Sequence, residues 1–132
     1  RLIGGFKKSL KLNIPVKTNK KYVSTSSTSC FIHSYAEFEN TRLGSTSLGE
    51  KGVKAEEIGE KCFNVLKEEL DSQAAVDKRA ADQLMIYMAL SPSSKITTSS
   101  ITNHIKTNAE LIEKFLPVKF KIDSNTISCR KL

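Results

Sequence analysis

No apolar run in this 132-residue chain approaches the roughly 20 residues that a membrane-spanning helix needs. The first residues also lack the charged, then apolar, then small order of a secretory leader, so a cytoplasmic location is expected. The chain opens on Arg1 rather than Met, which suits a fragment or one piece of a processed chain. Cysteine is scarce: Cys30, Cys62 and Cys129 stand far apart and form no Cys-x-x-Cys pair. Such an odd scatter reads as reduced, mostly buried thiols. Cys30 and His33 have a spacing that metals use, but no second ligand pair follows, so no metal site is expected. There is no Gly-rich phosphate loop, no Ser-His-Asp set on a nucleophile elbow, no internal repeat and no linker long enough to split the chain.

Acidic residues are missing from the whole of the first 36 positions. Arg1, Lys7, Lys8, Lys11, Lys17, Lys20 and Lys21 precede the first acid, Glu37, while the other 14 basic residues are matched by all 14 acids. The net charge of +7 is therefore a local feature. It points to a polyanionic partner such as RNA, although a solvated surface that only raises the pI would look the same.

What is present suits one soluble domain, at 39% hydrophobic and 27% charged residues. Arg1–Leu12 is basic and broken by Gly4-Gly5, like the frayed end of an element. Pro15–Val23 alternates loosely and predicts a strand, followed by a polar loop over Ser24–Ser29. Cys30–Asn40 predicts a long strand with Cys30, Ile32, Ala36 and Phe38 on one face, and with His33 on the more polar one. A short strand and turn follow around Leu43–Lys51. Lys54–Leu70 has the apolar stripe of a helix in Ala55, Ile58, Cys62, Val65, Leu66 and Leu70. A second helix starts at an Asp77 N-cap, buries Ala81, Leu84, Met85 and Met88, and ends at Ser91-Pro92. Lys95–Thr98 predicts a strand, and Val118–Ile122 with Thr126–Cys129 a closing hairpin. The fold class is α+β, with helices on one face of an antiparallel or mixed sheet.

Between those strands lies Ile101–Leu116. Thr107-Asn108-Ala109-Glu110 has the form of a capping box, and Asn108, Leu111, Ile112, Phe115 and Leu116 follow as a helical stripe ended by Pro117. His104 would then stand about one turn before a helix N-terminus, where free N–H groups and the macrodipole favour an anion. Arg79, Asp82 and Gln83 share a polar face at the start of the preceding helix. An acid, an amide and a cation could hold a nucleotide and its metal ion, and a neutral imidazole could attack phosphorus. From spacing alone, a structural histidine and a solvated helix face remain the simpler account.

The same residues carry a resemblance. Ala75–Leu84, Met88-Ala89-Leu90 and Ile101-Thr102-x-His104-x-x-Thr107-Asn108 resemble the C-terminal part of the RNA 3′-terminal phosphate cyclase family. So, in the same order, do Glu37–Thr41, Leu48–Gly52, Ala55–Glu60 and Glu113–Val118. The resemblance implies a βαβαββ unit like the C-terminal domain of a translation initiation factor, the last repeat of the cyclase fold. Residues 1–12 would be the tail of an inserted domain and residues 13–132 the C-terminal catalytic unit. It implies an ATP- and Mg²⁺- or Mn²⁺-dependent enzyme that turns an RNA 3′-phosphate into a 2′,3′-cyclic phosphate through an adenylylated histidine. By position, His104 is the nucleophile and Arg79, Ala80, Ala81, Asp82 and Gln83 the ATP-binding segment.

Two departures accompany it. Arg79 stands where the family usually has Tyr or His, so an aromatic stack on adenine is replaced by what a guanidinium can offer. The family's N-terminal half, with a Glu-Gly-Gly-Gly-Gln-type motif, is absent, so the chain is not expected to act alone and that half is an implied partner. A homo-oligomer stays open. Two other readings compete: a non-catalytic cyclase-like factor of ribosome biogenesis, whose relatives lack the histidine, and an RNA-binding fragment using the basic first 21 residues.

Overall fold

The computed structural model describes residues 1–10, 14–91 and 93–132. In chain order the elements are α1 (Leu2–Ser9), β1 (Phe31–Glu37), β2 (Arg42–Leu48), α2 (Ala55–Asp71), α3 (Lys78–Leu90), β3 (Ser94–Thr97), α4 (Asn103–Phe115), β4 (Val118–Asp123) and β5 (Thr126–Lys131). The α+β class read from the sequence holds. Two compact units emerge: Arg1–Ala36 with Gly44–Lys67, and Glu37–Leu43 with Glu68–Leu132.

In the first unit the expected frayed end is a helix, α1. Its Gly4-Gly5 pair reads as a break in sequence, yet a Cβ on Gly5 would overlap the Glu56 carbonyl, and one on Gly59 would overlap that of Leu2. The two glycines are what let α1 and α2 cross at backbone distance. Phe6 and Phe63 meet edge to face with centroids 5.4 Å apart. Arg1 chelates the Glu56 carboxylate, at 2.7 and 3.1 Å, and that hydrogen bond pulls the Glu56 pKa down to about 2. The buried stripe of α2 forms as expected at Ile58, Cys62 and Leu66, with Phe63 added. Cys62 is wholly buried, its thiol sharing hydrogen bonds with the hydroxyls of Ser34 and Ser45.

Pro15–Val23 forms no strand. It has no apolar face to bury: Tyr22 and Val23 are exposed. The strand expected over Cys30–Asn40 shortens to β1, with Ile32 buried and Phe31, His33 and Tyr35 on the exposed face. Residues 11–13 and Pro92 lie outside the described residues.

The second unit is built on the antiparallel sheet β3-β5-β4. Register runs from Thr97↔Thr126 to Ser94↔Cys129 on one side of β5, and from Asp123↔Thr126 to Val118↔Lys131 on the other. Helices α3 and α4 supply Ala81, Met85, Met88, Ile105 and Ala109 to one core with Val118, Phe120, Ile127 and Cys129 of the sheet. Just before α3, Val76 makes an isolated parallel bridge to Thr98.

The start of α3 is pinned electrostatically as well. Glu69 near the end of α2 is buried, and Lys78 Nζ lies 3.5 Å from its Oε1, while Oε2 has no partner among the described residues. Removing the cation leaves a carboxylate in a dry site, which is costlier than removing both charges. Lys78→Met is therefore expected to destabilise the protein by about 2 kcal/mol, and adding Glu69→Gln to recover most of it. Chemical denaturation of the single and double variants measures this.

Candidate functional site

The site is set by how α3 and α4 begin. Asp77 is the N-cap of α3 as expected, its Oδ1 accepting from the amides of Arg79 at 3.0 Å and Ala80 at 2.8 Å. Its own carboxylate thus occupies the donors that an anion would otherwise use. The side chains that follow separate by depth. Ala81 is completely buried in the core, Ala80 is half-buried, and Arg79 and Gln83 are exposed. Asp82 is half-buried on the flank of α3 that meets α4. The single polar face expected for Arg79, Asp82 and Gln83 is therefore divided: two groups reach solvent, and the acid is held at the helix pair.

Helix α4 corrects the expected start. It begins at Asn103, with Thr102 as N-cap accepting from the Ile105 amide at 3.2 Å. Thr107 is exposed in the helix interior, and its capping box does not form. The physical reason is burial. Starting at Asn103 puts Ile105 and Ala109, four apart, into the core at 0% and 6% exposure. A helix starting after Thr107 would forfeit the first of these, about 2 kcal/mol of apolar burial. The inward stripe accordingly runs Ile105, Ala109 and Ile112, whereas Leu111 and Phe115, expected inside, are 50% and 78% exposed.

His104 therefore stands within the first turn of α4, not a turn ahead of it. Its ring is exposed and makes no hydrogen bond to a described residue. At this position the amides of the first turn have no intrahelical acceptor, and the positive end of the helix lies beside the imidazole. One turn further along the same face comes Asn108, whose Nδ2 donates to Asp82 Oδ1 at 2.7 Å. That contact joins the histidine helix to the Arg79–Gln83 segment, and it was missed in the sequence because Asn108 reads as part of an apolar stripe. Asp82 Oδ2 has no hydrogen bond from a described residue.

Thr102→Ala is expected to cost about 1 kcal/mol and to fray the turn carrying His104, while Thr107→Ala leaves stability within a few tenths. Denaturation midpoints together with amide exchange at Asn103–Ile105 measure the difference.

The matches to known proteins run through both helices. A family profile described as RNA 3′-terminal phosphate cyclase matches residues 7–122. The RNA 3′-terminal phosphate cyclase of Sulfurisphaera tokodaii is 47% identical over 87 residues, 66% of this chain and 25% of that protein. The protein of the same name from Nitrosospira multiformis is 41% identical over 88 residues, again 66% and 25% of the two chains. The one from Pyrococcus abyssi is 36% identical over 113 residues, 86% of this chain and 33% of its own. The chain thus aligns with a quarter to a third of the length of these relatives.

Proposed function

Because the chain belongs to the RNA 3′-terminal phosphate cyclase family, we propose that it is the C-terminal part of an ATP-dependent cyclase of RNA 3′-phosphate ends, with His104 as its nucleophile. The neutral imidazole attacks the α-phosphorus of ATP, an N–P bond forms, and pyrophosphate leaves with the electron pair of the broken P–O bond. An oxygen of the RNA 3′-phosphate then displaces the histidine nitrogen from AMP. Finally the neighbouring 2′-hydroxyl loses its proton, attacks the activated 3′-phosphorus and expels AMP, leaving a 2′,3′-cyclic phosphate.

The observation that supports this most is the position of an exposed imidazole in the first turn of α4, on the helix that reaches Asp82 through Asn108. A nucleophile needs access, and an exposed ring with no partner among the described residues keeps both nitrogens available. In this reading Asp82 and Gln83 orient the nucleotide, and Arg79 offers a cation or a flat guanidinium where an aromatic ring is usual. The free N–H groups beside His104 are suited to the oxygens of the phosphate under attack. Mg²⁺ or Mn²⁺ would supply charge neutralisation on the polyphosphate. Among the described residues no three His, Cys, Asp or Glu side chains are grouped to hold a metal ion. The remaining ATP contacts, in this proposal, come from the rest of the enzyme, a partner to this segment. The basic stretch between Arg1 and Lys21 suits the RNA backbone.

The protein, expressed with whatever flanking sequence its coding region supplies, is expected to take up acid-labile AMP from ATP labelled at the α-phosphate, with Mg²⁺ or Mn²⁺ present. His104→Ala should reduce that label to background; labelling equal to the parent would reject the assignment. A second expectation concerns these 132 residues on their own: they should not label, and should gain label when the remainder is supplied in trans. Full labelling of the isolated chain defeats it.

A further inference from the structure

Besides linking the two helices, Asn108 makes the only side-chain hydrogen bond of Asp82 among the described residues. Its amide donates to Oδ1 at 2.7 Å across 26 residues of sequence. The bond is half-buried, so water competes with it less than at an open surface and its geometry is better held. The orientation of the amide follows from chemistry, since only the NH₂ end can face a carboxylate. The carboxylate is left with one oxygen anchored and the other without a hydrogen bond from any described residue. An amide also anchors it without cancelling its charge, as a lysine or arginine in the same place would do.

We infer that Asn108 is a positioning residue for the nucleotide. It fixes the Asp82 carboxylate so that Oδ2 faces outward to accept from a ligand hydroxyl. Being one turn from His104 on the same helix, it also ties the nucleotide's place on α3 to the nucleophile's place on α4. This rests on the nucleotide reading of Asp82, and it adds a residue whose effect is on where the acid points. A side chain that merely glued two helices would influence stability alone. A positioning residue also influences ligand affinity in the folded protein.

The test uses α,β-methylene-ATP, which cannot transfer AMP, so binding is read without the histidine chemistry. The protein is again expressed with its native flanking sequence, at a temperature where circular dichroism shows each variant folded. Asn108→Ala is expected to bind the analogue about tenfold more weakly, the scale of a lost hydrogen bond to a charged group. Asn108→Asp, similar in size but setting like charges in contact, should bind more weakly still. Asn108→Gln, which keeps the amide on a longer arm, should recover part of the affinity. Parent-level binding in folded Asn108→Ala or Asn108→Asp overturns the inference, as does a glutamine variant no better than alanine. Those outcomes leave AMP labelling of His104 untouched, so the nucleophile assignment survives them. A parent that does not bind the analogue overturns both readings together.

Discussion

Ile105 is completely buried, and the geometry of the second unit follows from that burial. A helix has one rotational phase, and the largest inward side chain sets it. With Ile105 at the centre of the inward face, Ala109 and Ile112 must follow, and the first turn must begin at Asn103. The same phase sends His104 outward and leaves Asn108 on the margin where α4 meets α3. The exposure of Leu111 and Phe115 is a consequence of that phase, because both lie on the outward side that His104 begins. An exposed imidazole and an interhelical amide are thus two results of a single packing choice.

The sequence was most legible where strong local signals agreed with packing. Asp77 caps α3, Pro117 follows α4, and the turn after β4 contains Ser124 at φ 50°, a left-handed value that matches the expected hairpin tip. The stripe of α2 could be read at Ile58, Cys62 and Leu66, though not at the buried Phe63 and Glu69. Legibility failed where two local rules applied equally. Thr102 and Thr107 are both chemically able to cap a helix, and only the core, unseen in a single sequence, chooses between them. Gly4-Gly5 fails for the opposite reason. Glycine is a helix breaker by propensity, but at Gly5 and Gly59 its missing side chain permits a close crossing whose favourable contacts outweigh that cost. Pro15–Val23 has a strand's alternation without a surface to pack it on. The candidate site divides in the same way. His104 and Asp82-Gln83 could be singled out by residue type and resemblance. The link between them depends on which residue of α4 faces α3.

The family match explains why these helices occur together in one chain without establishing what each side chain does. The family match over residues 7–122 covers both α3 and α4, and the chain aligns with only a quarter to a third of the relatives' length. A site built on that fraction can be well ordered and still incomplete. Among the described residues the second unit has its own core of nine buried side chains, drawn from α3, α4 and the sheet. The helix that carries His104 is thus packed by its own inward residues, Ile105 and Ala109.

That division bears on the choice of an amide at Asn108. A buried or half-buried carboxylate needs a partner, and the commonest partner is a cation. Lys78 serves Glu69 in that way, and Arg1 serves Glu56, holding its pKa near 2. Each of those acids is neutralised by its partner and is thereby spent on structure. Asp82 differs, because its partner is the Asn108 amide and no cation pairs with it among the described residues. A carboxylate serving only to hold two helices together would be better paired with a cation or replaced by a second amide. An amide partner leaves Asp82 its charge, and that is the property a nucleotide-binding role for it would use.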